Sequence, residues 1–245
     1  MTGESAVRIA LLLPDVLGTY SDGGNATVLA QRLRWRGIDA DVIPVPAAAA
    51  APTSADIYVL GGGEDAAQAF AATWLLDQPA LLTTMATTQV LAVCAGLQVL
   101  GRWMEGPGGR RIPGAALWDL TTTAGGRRAV GEVAAQSAIT GMPTLTGFEN
   151  HQGRTVLGEQ ATALGRVRRG TGNGDGTDGL LSATAVGTYL HGPVLARNPD
   201  LADLILRRAT GLPLAALQIP DQDSARDLHL RRAYPGRERW MVRRR

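Results

Sequence analysis

Gln89-Val90-Leu91-Ala92-Val93-Cys94-Ala95-Gly96-Leu97-Gln98-Val99-Leu100-Gly101 places the only cysteine of a 245-residue chain between an apolar run and two small residues. Val90 to Val93 is short and apolar enough for a buried parallel strand, and Leu97 and Leu100 recur at helical spacing behind Ala95 and Gly96. The stretch therefore reads as strand, sharp turn, helix, with Cys94 on the elbow. A thiol there gains from the unpaired amides of a helix N-terminus, which favour thiolate over thiol and can hold an oxyanion beside it. The competing reading is a quiet core thiol, because free cysteine is among the most buried residue types. The rest of the chain has to decide between the two.

Working outward, the segments before the elbow repeat one pattern. Val7 to Leu13 is a mostly apolar strand, followed by a loop through Pro14, Gly18, Asp22, Gly23 and Gly24. Asn25 can cap a helix whose apolar stripe is Val28, Leu29 and Leu33, and Ala40 to Val45 is a second strand. Asp56 to Leu60 is a third, running directly into Gly61-Gly62-Gly63-Glu64-Asp65, where the backbone must turn sharply or approach something closely. No Gly-Lys-Ser/Thr follows and the GxGxxG spacing is absent, so this is not a phosphate loop. A helix from about Ala66 to Leu76 then leads to the strand carrying Cys94. Strands and helices alternating over short loops predict a mostly parallel sheet, and in such sheets ligands bind at the strands' carboxyl ends. Both the triple glycine and Cys94 lie there.

After Gly106 the pattern changes to short β-like pieces at Ala115 to Thr122, Arg128 to Ala134, Thr144 to Glu149, Thr162 to Arg168 and Leu180 to Tyr189. Gly170 to Gly179, with its alternating glycine, reads as a flexible loop; the ligand spacing and terminal glutamate of a calcium-binding EF-hand are missing, and no metal site is expected. Asn198-Pro199-Asp200 opens a helix that runs to Gly211, with cap, first-turn proline and acid in place.

Composition sets the outer limits. One cysteine excludes an internal disulfide framework. Neither a signal peptide nor a membrane span is read from the sequence, so a cytoplasmic location is expected. The formal charge is +2, and arginine supplies every basic side chain. Seven arginines between Arg231 and Arg245, with Tyr234 and Trp240 among them, belong to an arginine-rich extension over residues 216–245 that follows a main domain of residues 1–215. Such a tail suits an anionic partner or a solvated end; no nucleic-acid function is assigned to it.

A nucleophilic cysteine needs a base in reach, and an acyl intermediate needs amide donors. His229 lies in the basic tail; His151, in Gly147-Phe148-Glu149-Asn150-His151-Gln152-Gly153-Arg154-Thr155, and His191, in Tyr189-Leu190-His191-Gly192-Pro193, remain equal candidates by their chemistry alone. Taken together, the triple glycine, Cys94-Ala95-Gly96-Leu97-Gln98 and these two histidine segments resemble the class I glutamine amidotransferases of the cobyric acid synthase type. The resemblance spans about residues 7–210. Within that family the chain is most similar to glutaminase subunits that serve peptidoglycan amidation.

The resemblance implies an α/β fold of that class, a mostly parallel central sheet flanked by helices with additional antiparallel strands in the second half. It implies that Cys94 attacks the side-chain amide of glutamine and His191 shuttles the proton, through a glutamyl thioester that water releases. Gly62 or Gly63 and Ala95 would serve the oxyanion, Gln98 would lie near the bound glutamine, and Arg128, with Arg127 as fallback, would grip its α-carboxylate. Many members carry a glutamate two residues after the histidine, where this chain has Pro193. The expectation is therefore a Cys-His dyad, or a carboxylate supplied by a partner. No cofactor is expected on this chain; ATP and Mg²⁺ would belong to a MurT-like, Mur-ligase-related subunit that amidates the D-glutamate α-carboxylate of lipid II at the inner membrane face. The alternatives are an amidotransferase subunit of another pathway, such as cobalamin or pyridoxal phosphate synthesis, and a regulatory relative without catalysis.

Overall fold

The structure is a computed structural model that describes residues 5–18 and 20–220, together with Gln222, Ser224 and Leu230. His229 and the arginines from Arg231 onward, and with them the assignment of a basic tail, lie outside the described residues. The first half alternates as expected: β1 (Val7–Leu12), α1 (Gly24–Arg34), β2 (Ala40–Val45), β3 (Ile57–Leu60), α2 (Asp65–Leu76), α3 (Pro79–Met85), β4 (Gln89–Val93) and α4 (Ala95–Val99). The sequence reading passed over α3, although Pro79 at its first turn is a favoured helix start.

The second half holds β5 (Trp103–Glu105), β6 (Arg111–Pro113), β7 (Leu120–Ser137), β8 (Leu145–Leu157), β9 (Gly165–Arg169), β10 (Thr177–Asp178), β11 (Leu180–Leu181), β12 (Ala185–Thr188), α5 (Val194–Arg197) and α6 (Pro199–Thr210). Among the described residues, two six-stranded sheets result. The central one has the order β11-β12-β4-β3-β1-β2. Its neighbours β12, β4, β3, β1 and β2 pair in parallel, and β11 closes the edge antiparallel. The other has the order β10-β9-β7-β5-β6 with β8 on β7, and is antiparallel apart from the β5–β7 pair.

The central strands are buried on both faces, which is why they read as continuous apolar runs: β3 and β4 have no exposed residue. α1 packs with α5 and α6, while α2 packs with α3 and α4. Arg32 and Arg36 on α1 both reach Asp203 on α6, Arg32 Nε at 2.7 Å and Arg36 Nη2 at 2.8 Å. Burial alone would raise the Asp203 carboxyl, but the two guanidiniums hold it below the ordinary carboxylate range.

Two differences from the sequence reading concern the second half. The expected pieces at Arg128 to Ala134 and Thr144 to Glu149 are parts of two long strands, β7 and β8, that form one ribbon. The glycine-rich Gly170 to Gly179 segment is a hydrogen-bonded turn that runs into β10. Thr171 and Gly172 donate their amides to Glu149, and buried Asn173 exchanges side-chain hydrogen bonds with Gly179.

Candidate active site

β4 delivers Cys94 at its carboxyl end, between flanking strands β3 and β12. Cys94 is 6% exposed and adopts φ 53°, ψ −105°, a left-handed turn that few non-glycine residues accept. Its amide donates to Thr188 O at 2.8 Å and its carbonyl accepts from Gln98 N at 3.1 Å. The strain is thus held from both sides, and the thiol stands at the start of α4 with Ala95 as the first helical residue. The close approach of Gly96, whose amide donates to Gly61 O at 3.0 Å, brings the triple-glycine turn against this elbow.

Gly62 is the residue on which the constellation converges. A Cβ there would lie 2.7 Å from His191 Cε1, 3.1 Å from Asp22 Oδ2 and 3.4 Å from the Cys94 Cβ. Only a bare backbone fits between the thiol, the imidazole and the carboxylate. His191 follows β12 and is clamped by a pair of backbone hydrogen bonds with Phe148 on β8, its amide donating to Phe148 O at 2.8 Å and its carbonyl accepting from Phe148 N at 3.2 Å. Asp178, fully buried, steadies the same approach by accepting from Thr188 Oγ1 and Tyr189 N. Burial raises its carboxyl to about 6.

The acid that the sequence reading assigned to a partner, or dispensed with, stands on this chain. His191 Nδ1 lies 2.8 Å from Asp22 Oδ2, with the imidazole and carboxylate 1% and 0% exposed. Asp22 comes from the loop between β1 and α1, directly after Tyr20 and Ser21, both at positive φ. Pro193, where the resemblance led to a glutamate being expected, packs on Gly24 at the start of α1, where an added Cβ would come within 2.6 Å of the proline ring. Pro193 thus buttresses the segment that supplies Asp22.

Burial by itself would lower the His191 pKa; the bond to Asp22 and the proximity of Cys94 outweigh it and raise the imidazole to about 10. Its Nε2 is buried and has no hydrogen-bond partner among the described residues. The Gly62 amide donates to Asp22 Oδ2 at 2.8 Å, so it is committed to orienting the acid.

The other predicted residues divide into two groups. Gln98 is buried below the elbow, donating to the Tyr189 hydroxyl at 2.9 Å and accepting from Gln68 Nε2. Arg128 stands on the rim. Between Ala124 and Ala129 the register of β7 on β8 slips, and this bulge turns Arg127 and Arg128 outward. Arg128 Nε donates to Asn150 Oδ1 at 2.5 Å, and Asn150 Nδ2 donates to the Tyr20 hydroxyl. The Tyr20 ring meets His191 edge-on with centroids 4.9 Å apart. Asp22, Asn150 and Tyr20 were missed from the sequence; the one available signal was the cluster of loop residues after β1 at a carboxyl strand end.

His151 has another occupation. It stacks on Tyr189 with ring centroids 3.8 Å apart and places Nε2 3.3 Å from Glu149 Oε2. Among the described residues, no group of His, Cys, Asp and Glu is arranged to hold a metal ion, and no helix is long and apolar enough to cross a membrane.

A strained thiol elbow, an imidazole and a carboxylate thus meet at the carboxyl ends of parallel strands, in a fold shared with the glutamine amidotransferases. A solved structure described as a glutamine amidotransferase matches 83% of this chain and 99% of its own with a TM-score of 0.54, at 16% sequence identity. The chain belongs to the CobB/CobQ-like glutamine amidotransferase family, whose domain matches residues 8–199. It is 33% identical over 218 residues to the lipid II isoglutaminyl synthase subunit GatD of Staphylococcus aureus, covering 86% of this chain and 88% of that one. To GatD of Streptococcus pneumoniae it is 31% identical, covering 80% and 77%. To the cobyric acid synthase of Hyphomonas neptunium it is 30% identical over 78% of this chain and 37% of that protein.

Proposed function

We propose that this chain hydrolyses L-glutamine and passes the ammonia to a partner that amidates lipid II. The observation that carries the reading is the convergence of Cys94, His191 and Asp22 on Gly62, on a chain similar to two GatD subunits over most of their lengths. Asp22 fixes His191 with Nδ1 toward the carboxylate, so that Nε2 faces the reaction. His191 accepts the Cys94 proton, and the thiolate adds to the side-chain amide carbon of glutamine. As the tetrahedral intermediate collapses, the imidazolium returns the proton to the departing nitrogen, giving ammonia and a glutamyl thioester on Cys94. A water molecule deprotonated by His191 then adds to the thioester, and glutamate leaves as the thiol is restored.

With the Gly62 amide spent on Asp22, Gly63 and Ala95 are the backbone donors for the oxyanion. Arg128 grips the α-carboxylate, and Gln98 forms the floor of the site through Tyr189. The sequence contains no P-loop, so ATP and Mg²⁺ are assigned to a Mur-ligase-related, MurT-like subunit that activates the D-glutamate α-carboxylate of the lipid II stem peptide. The product is isoglutamine in peptidoglycan, made by a cytoplasmic heterodimer at the inner membrane face.

The test is transfer of nitrogen from amide-labelled glutamine into lipid II by the complex. Cys94→Ala should abolish transfer from glutamine yet leave transfer from an ammonium salt intact. Transfer from glutamine by Cys94→Ala at the wild-type rate would overturn the proposal.

A further inference from the structure

The turn that delivers Asp22 is held in a costly shape, and the chemistry described above does not use what holds it. Tyr20 and Ser21, just ahead of Asp22, have φ of 60° and 63°, a region that non-glycine residues keep only where their surroundings enforce it. The acid itself supplies little of that support. Its Oδ2 serves both His191 Nδ1 and the Gly62 amide, and its Oδ1 is buried with no hydrogen-bond partner among the described residues. The aim of the carboxylate is therefore set by the backbone on either side. On the α1 side the Asp22 carbonyl accepts from Asn25, through its amide and its Nδ2, each at 3.0 Å. On the other side stands Tyr20.

Tyr20 reaches across the mouth of the site to β8. Asn150 is oriented by Arg128: a guanidinium can only donate, so its Nε fixes Oδ1 and leaves Nδ2 to donate to the Tyr20 hydroxyl. The Tyr20 ring lies 6.1 Å from that of Phe148 and 4.9 Å from the His191 imidazole, measured between centroids. Phe148 is also the residue whose backbone clamps His191. One side chain thus ties the strained turn to the strand that holds the base. We infer that Tyr20 is a positioning residue: anchored by Asn150, it keeps Asp22 in register with His191 while the imidazole gains and loses its proton. The inference rests on the glutaminase reading and goes beyond it, giving the loop after β1 a residue that acts on the reaction through Asp22.

The experiment measures glutamate release by the full chain for wild type, Tyr20→Phe, Asp22→Ala and the double variant. Tyr20→Phe keeps the ring and the Arg128–Asn150 contact and removes the anchor, so kcat should fall about five- to tenfold with KM within about twofold of wild type. In the Asp22→Ala background the same substitution should change kcat by less than about twofold, because the group it positions is gone. Equal losses in both backgrounds, a loss carried by KM, or no loss would overturn the inference. A second measurement stands apart from turnover: the His191 imidazole is titrated by NMR in Cys94→Ala, where no thiol titrates with it. Adding Tyr20→Phe should move the midpoint to lower pH, since a looser Asp22 supports the imidazolium less. Coincident midpoints refute the positioning role. If wild type releases no glutamate, the glutaminase reading itself fails, and there, as where Asp22→Ala does not fold, this titration decides whether Tyr20 holds Asp22 on His191.

Discussion

Among the described residues, two buried histidines sit close to carboxylates, and one of them has a thiol beside it. His191 and Asp22 are 2.8 Å apart and His151 and Glu149 3.3 Å apart, and all four side chains are at most 4% exposed. What separates them is the third member. His191 shares a glycine-lined space with Cys94, whereas His151 stacks on Tyr189. Glu149 also accepts from the amides of Thr171 and Gly172, which turns its histidine pair into a tie between β8 and the glycine-rich turn. A carboxylate–imidazole pair is thus equally at home as a strut, and the bare backbone at Gly62 is what lets the other one stand beside a thiol.

Substitutions at the two pairs should therefore differ in kind. The largest effect is expected at the nucleophile and its base: Cys94→Ala or His191→Asn should lower glutamate release by about 10³-fold or more, measured with purified folded chain. Asp22→Asn should cost roughly 10²- to 10⁴-fold in kcat, since the imidazole loses the group that fixes its tautomer and supports its charge. Gly62→Ala comes next, at about 10²-fold in kcat, because the new methyl must displace the imidazole or the elbow. At the other pair, Glu149→Gln should leave kcat near wild type but lower stability by about 1–3 kcal/mol, read from denaturant unfolding. An equal kcat loss at Glu149 would erase the distinction between the pairs.

The pairs should also respond to pH in opposite senses. His191 has a folded pKa raised to about 10 from an ordinary 6.5, so its contribution to stability is complete below about pH 6.5 and is lost as pH rises through about 10. Glu149 is buried, which alone would raise its carboxyl, but the His151 contact and the two amide donors hold it below the usual range. Its contribution is present above the ordinary carboxylate pKa and is lost on acidification through the lowered one. Thermal melts across pH should therefore show Glu149→Gln converging on wild type in acid, and His191→Asn converging on it in alkali.

Much of the first half was legible because its strands are buried on both faces and its turns carry glycine. β1 to β4, the triple glycine and the Cys94 elbow follow from apolar runs and their punctuation. The second half was not, because β7 and β8 pass through Gly125, Gly126, Gly131, Gly147 and Gly153, which read locally as breaks in what is one long ribbon. The order in Gly170 to Gly179 comes from Glu149, more than twenty residues away in sequence, and local composition holds no trace of it. Asp22 was hidden for the same reason. It lies 169 residues from His191, so the pairing exists only once β1 and β12 are brought into one sheet. Arg128 was named from the resemblance, and the bulge that turns it outward depends on pairing that periodicity does not reveal.

The central claim is that this chain carries nucleophile, base and acid by itself. The most direct measurement is glutamate release from L-glutamine by the isolated chain, comparing wild type, Cys94→Ala and Asp22→Asn in one assay. The account predicts release by wild type, none above background for Cys94→Ala, and a rate reduced by at least about 10²-fold for Asp22→Asn. Asp22→Asn working as fast as wild type, or Cys94→Ala retaining release, would contradict it.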